Sequence, residues 1–558
     1  MSDTETRDDK RTTGLGANGR QNGNAVPIGP TSKDARKAAQ EVAEATDMFM
    51  MGGISVEPAA QAAKVAEDAD LTPEERKEVG RKVFRLAWPA IAENALQTLL
   101  GIVDTAIVAR LGNAALSGVG ASQMLIWVLT TALIAVSMGT TVLIARSTGA
   151  GEVGQSSVVL KQSLLMSVLV SLVLAAIAPL SEPLLAMSGL TGEAARDGAT
   201  YLSITLTFAV MLVVMFVVGA ALRGAGDTRT PMLVTAFINV INALLAVELV
   251  FGGVKASGIL SGWLSGAASW IVPGARIDVP GLDWIPEMGV AGSAWATVIA
   301  RGLGTLILLG FLFQRRSPIK LLSRSGWLPN LDVVRRILNI GIPSAVEQMF
   351  MSLGILIYSF IVIGMGEVIF ATSRLALNAV FLSQMPGFGF SMAATTLVGQ
   401  SLGAGHPRRA ILGSQLATRS ALIWMSIMGL AFFFAGEPIL RIFTDDPELL
   451  RLGGEAMKVI AFSQPPLALA FVLGGSLRGA GDVRYPMVIT TVAVWLVRLP
   501  TGAFLGLQTV YIPFTPWHFP GLGLALPGIY AALIIEASFR AILMYRRFRG
   551  GKWQTMKV

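Results

Sequence analysis

Two carboxylates lie within one strongly apolar stretch near the start of the chain. Glu93 and Asp104 are eleven residues apart, inside residues 84–109. Eleven steps of about 100° return within roughly 20° of the starting direction, so a helix would carry both acids on one face. An ionisable side chain inside a membrane is costly and is a functional hypothesis by default. Two carboxylates at successive depths would suit a path for a proton or another cation.

Further ionisable residues lie in apolar stretches later in the chain. Glu347 stands 254 residues after Glu93, whereas the position equivalent to Asp104 is Tyr358. Arg498 could form an ion pair with Glu347, and breakage of that pair could be linked to protonation of Glu347. A static pair that only neutralises two buried charges is the alternative, and both interpretations stay open.

The elements that would position these residues are apolar segments long enough to cross a bilayer, which takes about 20 residues each. They fall at about 84–109, 115–142, 159–180, 199–221, 231–252, 289–313, 337–363, 375–399, 413–435, 457–476, 486–508 and 523–545. Such continuous segments lack the polar stripe of a helix in a soluble protein. The sequence therefore predicts an all-α membrane protein with twelve transmembrane helices.

Composition agrees with that class. The chain is 53% hydrophobic and only 14% charged, against about a quarter charged in soluble domains. The absence of cysteine excludes disulfides and cysteine-based metal sites, and two histidines cannot form a histidine cluster. We expect no cofactor, no enzymatic activity and no nucleic-acid partner. The formal charge of +8 is attributed instead to orientation in the membrane.

A twelve-residue motif occurs twice, at residues 221–232 and 476–487. Both copies contain Leu-Arg-Gly-Ala-Gly-Asp and end in Pro-Met. Their spacing of nearly half the chain predicts two homologous six-helix bundles. Because each half has an even number of helices, both enter the membrane from the same side, so a pseudo-two-fold axis along the membrane normal relates them. The glycines favour tight turns, and each proline favours the start of a helix.

The basic residues of the connections predict the orientation. The even-numbered connections and the C-terminal tail carry about twice as many arginines and lysines as the odd-numbered ones, which places both termini in the cytoplasm. The predicted organisation is a polar cytoplasmic tail, largely disordered, over 1–82, a first bundle over 83–314, a cytoplasmic linker over 315–336, a second bundle over 337–548 and a basic cytoplasmic tail over 549–558.

The duplicated motif resembles the MATE (multidrug and toxic compound extrusion) family. Val103 to Gly112 in the first segment and Gly289 to Thr297 in the sixth are similar to that family too. The resemblance covers residues 85–548. It implies a secondary antiporter in the cell membrane, which exports organic cations or other amphipathic compounds in exchange for H⁺ or Na⁺ by alternating access.

The resemblance also implies roles for individual residues. Asp104 matches the first-helix aspartate that relatives use in proton coupling. Asn242 matches an asparagine in the fifth helix, but the following Asp-Pro pair is missing, and the nearest acid, Glu248, lies about 240° away in a regular helix. The acid that sodium-linked relatives carry in the tenth helix is absent as well. Glu93, Glu347 and Arg498 complete the predicted ion-coupling set.

Three polar residues, Tyr358, Asn378 and Gln384, are predicted to line a substrate cleft. The expected partners are small amphipathic or cationic molecules, the coupling ion and membrane lipid, with one chain forming a complete transporter. A lipid-linked oligosaccharide flippase of the same superfamily is the alternative function. A channel or receptor is a third hypothesis, against which the duplicated parallel halves argue.

Overall fold

The computed structural model describes residues 72–269, 286–314, 318–319, 321, 326–511 and 518–556. Nine of its helices are long and apolar enough to cross a membrane, and three bent helix pairs raise that number to twelve spans within the described residues. The prediction of twelve transmembrane helices in two six-helix bundles is thereby confirmed.

The spans are numbered in chain order. Spans 1 to 6 are Pro73–Ala109, Asn113–Leu129 with Thr131–Gly149, Val153–Met187, Gly192–Thr207 with Ala209–Gly224, Arg229–Phe251 and Gly289–Leu312. Spans 7 to 12 are Leu331–Ile363, Glu367–Gly403, Pro407–Leu440, Pro447–Ala461 with Gln464–Gly479, Arg484–Gly506 and Ala525–Arg549. Span 3 contains a short 3₁₀ segment, Ala178–Leu180, and span 11 contains a π-helical segment, Ala493–Arg498.

Shorter elements join or follow these spans. Helix Gly253–Ser269 follows span 5, and the strands Thr509–Tyr511 and His518–Pro520 form an antiparallel hairpin before span 12. A 3₁₀ turn, Lys552–Thr555, ends the described chain. We call the side of the bundle that holds this turn and residues 326–330 the linker face.

The repeated motif forms the turn between spans 4 and 5 and again between spans 10 and 11. Gly226 and Gly481 have φ angles of 92° and 90°, a conformation that glycine adopts without strain. In the first copy the Asp227 carboxylate accepts hydrogen bonds from the backbone N–H groups of Arg229 and Thr230, at 3.2 and 3.1 Å, which caps span 5. The predicted tight turns are confirmed.

Two predicted boundaries require correction. The first helix begins at Pro73, so residues 73–82 belong to span 1 and not to the polar tail, whose residues 1–71 lie outside the described part. Buried Val79 explains the extension, because its side chain packs against span 8 and span 9. Span 7 likewise begins at Leu331, within the predicted linker, and its N-terminus is capped by the Asn330 side chain.

The C-terminal segment 549–558, predicted as a basic tail, packs against the bundle over its described residues. The Trp553 side chain is fully buried and stacks on Phe548, with ring centroids 4.8 Å apart. Arg146, at the end of span 2, donates hydrogen bonds to the backbone carbonyls of Ala480 and Met556, both at 2.9 Å. The segment therefore helps to join the two halves at the linker face.

The halves meet through glycines in a pseudo-symmetric arrangement. Gly149 of span 2 packs on the backbone of Gln400 in span 8, and Gly403 of span 8 packs on the backbone of Arg146 in span 2. Position 400 is the repeat equivalent of position 146, as 403 is of 149. A Cβ at either glycine would overlap a backbone carbonyl oxygen, so glycine permits this close approach.

Gly149→Ala is expected to separate the two halves at the linker face, because the added methyl group overlaps Gln400. Spin labels on cysteines at the exposed, repeat-equivalent positions Glu152 and His406 would measure the separation in this cysteine-free chain. The label distance should increase by several ångströms. Gly154→Ala is the matched control, since a Cβ there meets nothing within 4 Å. Equal distances in the two variants would contradict the packing argument.

Candidate functional site

A cavity of about 700 Å³ lies between the two halves. Its lining comes mainly from spans 1, 2 and 4, while span 6 contributes Arg301 and spans 7 and 8 contribute Gln348, Met392, Thr395 and Thr396. The Thr396 hydroxyl donates a hydrogen bond to the backbone carbonyl of Arg223 at 3.1 Å, so the two halves are in contact at one end of the cavity. A cavity of this size fits a drug-sized molecule.

Asp104 is the carboxylate that lines this cavity. Its side chain is buried, and the amide of Asn242 donates a hydrogen bond of 2.6 Å to its Oδ1 atom. Span 1 therefore meets span 5 through the two residues that the family resemblance had singled out. Because the carboxylate borders a cavity rather than tightly packed side chains, a proton or cation can reach it.

The cavity also contains positive charge. Arg301 of span 6 lines it and interacts electrostatically with Asp104. Arg223, at the end of span 4, lines the cavity towards the linker face. The site is therefore of mixed charge, because its described lining contains the Asp104 carboxylate and the guanidinium groups of Arg301 and Arg223.

Glu248 does not take the place of the missing fifth-span aspartate. Span 5 is a continuous helix over Arg229–Phe251, without the distortion needed to turn Glu248 towards Asp104. Glu248 is buried outside the cavity lining, and its Oε2 atom has no hydrogen-bond partner among the described residues.

Glu93 forms a buried ion pair with Arg223. The Arg223 Nη1 to Glu93 Oε1 distance is 2.7 Å, and the two side chains are 12% and 8% exposed. The pair joins span 1 to the end of span 4, within the first half. Glu93 therefore shares the inner side of span 1 with Asp104, but it has a different partner at a different depth.

The second half repeats this pair with Glu347 and Arg478. Their closest N–O distance is 3.1 Å, and the Thr490 hydroxyl donates a further hydrogen bond of 2.9 Å to Glu347. Glu347 therefore pairs with Arg478 and not with Arg498, the partner that the sequence had suggested as a possibility. Arg498 instead lies over the ring of Tyr358, 4.2 Å from its centroid. Span 11 directs Arg498 towards the C-terminal part of span 7, whereas Glu347 lies nearer than Tyr358 to the N-terminus of that span.

The three residues predicted to line the cleft lie elsewhere. Tyr358 is buried within the second half, where its hydroxyl donates a hydrogen bond of 2.7 Å to the carbonyl of Ile529. Asn378 is exposed and Gln384 is half-buried, both on span 8. None of the three is among the described residues that line the cavity.

The arginine partners of Glu93 and Glu347 were missed because both arginines end a helix, where they resemble loop residues. The signal was present in the repeat: the Glu93 to Arg223 spacing is 130 residues, and the Glu347 to Arg478 spacing is 131. A glutamate and an arginine that recur at nearly the same spacing in both halves indicate the same ion pair in each half.

Two homologous six-span bundles with a cavity between them, lined by both apolar and charged side chains, define a multi-pass membrane transporter. The MatE family model matches residues 89–247 and 343–504, one match in each half. The chain therefore belongs to the MatE family of membrane transporters.

Similar proteins include the probable multidrug resistance protein NorM of Thermotoga maritima, 33% identical over 490 residues, which are 88% of this chain and 96% of that relative. Multidrug resistance protein PmpM of Pseudomonas aeruginosa is 24% identical over 472 residues, covering 83% and 90%.

Two solved structures show the same fold. One is a MOP superfamily transporter from Pyrococcus furiosus, with a TM-score of 0.72, 19% identity and coverage of 87% of this chain and 100% of that one. The other is an outward-facing multidrug resistance MATE family transporter, with a TM-score of 0.71, 20% identity and coverage of 86% and 97%.

Proposed function

We propose that this protein is a secondary active antiporter, which exports organic cations or other amphipathic compounds in exchange for H⁺, with Na⁺ as the alternative coupling ion. The observation that carries the proposal is the Asp104 carboxylate, held by Asn242 at the edge of the 700 Å³ cavity. The multidrug resistance names of NorM and PmpM support the same substrate class.

The linker face is proposed to be cytoplasmic in a cell membrane, because the basic connections are concentrated there. The glycine contacts and the Arg146 hydrogen bonds then close the cytoplasmic side, and the cavity belongs to an outward-facing state. Transport by alternating access would require these contacts to break while a second set forms near the outer ends of the spans.

Coupling follows from the charge on Asp104. The ionised carboxylate attracts a cationic substrate, and a proton arriving from outside removes that charge. Protonation thus weakens substrate binding in the outward-facing state and favours release. Because substrate and proton compete for one carboxylate, uptake of one accompanies loss of the other.

Binding of a fluorescent organic cation to the purified protein should therefore weaken as pH falls. The affinity should decrease by up to tenfold for each pH unit below the pKa of the coupling carboxylate, as expected for one competing proton. Fluorescence titrations at several pH values would measure this, with binding accompanied by proton release into a weakly buffered solution. An affinity independent of pH would contradict proton competition.

A lipid-linked oligosaccharide flippase remains the second candidate, and Arg301 is the observation that favours it. A guanidinium in the cavity suits the phosphate groups of such a lipid better than it suits an organic cation. Arg301→Gln separates the two functions. It should preserve or improve binding of an organic cation to an antiporter, whereas it should weaken binding of a lipid diphosphate to a flippase.

One chain encloses the complete cavity, which supports a monomeric transporter. Coupling to H⁺ is favoured over Na⁺ for two reasons. Asp104 in the first half matches the aspartate that relatives use in proton coupling. The Glu347 carboxylate of the second half already binds Arg478 and Thr490 and is therefore less available to Na⁺.

A further inference from the structure

A pocket of about 550 Å³ lies at the linker face, away from the central cavity. It is formed by residues 80–89 of span 1 and by the start of span 5. Three arginines line it, Arg81, Arg85 and Arg229, together with Phe84 and Trp88. No carboxylate is among the described residues that line it, so its charge is strongly positive.

The acids near these arginines have other partners or lie outside the pocket lining. The Asp227 carboxylate, two residues before Arg229 in the chain, accepts hydrogen bonds from the backbone N–H groups of Arg229 and Thr230 and from the Thr230 hydroxyl. Glu75 forms an ion pair of 2.8 Å with Arg409, and Glu78 lies outside the pocket lining. Among the residues that the structure describes, none forms a salt bridge with the three arginines of the pocket. Their guanidinium groups are therefore available to an anion.

The depth of the pocket matches the headgroup region of a bilayer. Span 1 has 37 residues, about 55 Å at 1.5 Å per residue, whereas about 20 residues cross the hydrocarbon core. Its first third therefore extends beyond the core on the linker face. Phe84 and Trp88 are 63% and 58% exposed at the end of this part and just after it, where an aromatic side chain would contact lipid at the membrane interface.

The repeat provides a comparison within the same molecule. A pocket of about 710 Å³ occupies the related place in the second half, where Arg484 is the equivalent of Arg229. In that pocket Asp482 forms an ion pair of 2.7 Å with Arg547. An acid within the second pocket therefore offsets part of its positive charge, whereas no acid is among the described residues that line the first pocket.

We infer that the pocket lined by Arg81, Arg85 and Arg229 binds the phosphate headgroup of an anionic phospholipid. The three guanidiniums supply charge-assisted hydrogen bonds to the phosphate oxygens. The exposed rings of Phe84 and Trp88 contact the adjoining glycerol and acyl chain. These apolar contacts favour a lipid over free inorganic phosphate. The inference does not depend on which molecule the transporter exports.

The test is a titration of fluorescent, tail-labelled phosphatidylglycerol into the full-length protein in detergent. Unlabelled phosphatidylglycerol should displace the probe, whereas phosphatidylcholine and inorganic phosphate at the same concentration should not. The triple variant Arg81→Gln, Arg85→Gln, Arg229→Gln should bind the probe about a hundredfold more weakly, since each basic residue near an anionic surface contributes about one kcal/mol.

The matched control removes three charges from exposed arginines of the same face that line neither pocket: Arg335→Gln, Arg546→Gln, Arg549→Gln. It should bind the probe as the unmodified protein does. A triple lysine variant of the pocket keeps the charge and should retain most of the affinity. It distinguishes loss of charge from a loss of binding caused by misfolding. Equal binding by the glutamine variant and the control, or full displacement by phosphatidylcholine or phosphate, would overturn the assignment.

Discussion

Asp104→Asn is expected to reduce export of an organic cation by about a hundredfold or more while the protein stays folded. The amide has the shape of the carboxylate and can still form a hydrogen bond with Asn242, but it carries no charge and exchanges no proton. Removing one partner of a desolvated charge pair costs about 2–5 kcal/mol, which corresponds to about thirty-fold to several thousand-fold. Efflux of a fluorescent cation from proteoliposomes would measure the loss.

Glu248→Gln is the matched control for this variant. It removes a buried carboxylate from the neighbouring span, but that carboxylate lies outside the cavity lining. Transport by Glu248→Gln should remain within a few-fold of the unmodified rate. If Glu248→Gln lost transport and Asp104→Asn retained it, the coupling site would have to move to Glu248.

Arg223→Met is expected to lower the stability of the protein by about 3–5 kcal/mol, because it leaves the Glu93 carboxylate buried without a counter-charge. The double variant Glu93→Gln, Arg223→Met should recover most of that loss, since both charges are then removed. Denaturant unfolding of the detergent-solubilised protein, followed by tryptophan fluorescence, would measure the difference.

The exposed ion pair between Glu437 and Arg441 provides the comparison. The Arg441 Nη2 to Glu437 Oε1 distance is 3.0 Å, but the Arg441 side chain is 64% exposed and the Glu437 side chain 49%. Arg441→Met should change stability by less than about one kcal/mol. A double variant no more stable than Arg223→Met alone would show that the loss comes from packing rather than from an uncompensated charge.

The spans and the repeat could be predicted because their signals are local. Length and apolarity are enough to locate a membrane helix, and the two copies of the motif identify the halves. The bend of span 4 could not be predicted from the sequence. Span 4 breaks at Phe208, where no proline or glycine lies, so the break follows from packing with neighbouring helices rather than from the local sequence.

The site was less predictable because partner choice depends on which helices are neighbours. Asp104 and Asn242 were placed together by family resemblance, not by their spacing. Arg498 was considered as a possible partner of Glu347, yet span 7 directs Glu347 to Arg478 at the end of span 10. A long arginine side chain at a helix end can reach back into the bundle, which sequence position does not reveal.

The most direct test of the proposed antiport is to measure both fluxes in the same proteoliposomes. An imposed pH gradient should drive efflux of a fluorescent organic cation, and an outward gradient of that cation should drive protons in the opposite direction. Both fluxes should disappear in Asp104→Asn. Cation efflux that responds to a sodium gradient alone would contradict proton coupling, and no efflux under either gradient would contradict the antiporter and favour the flippase.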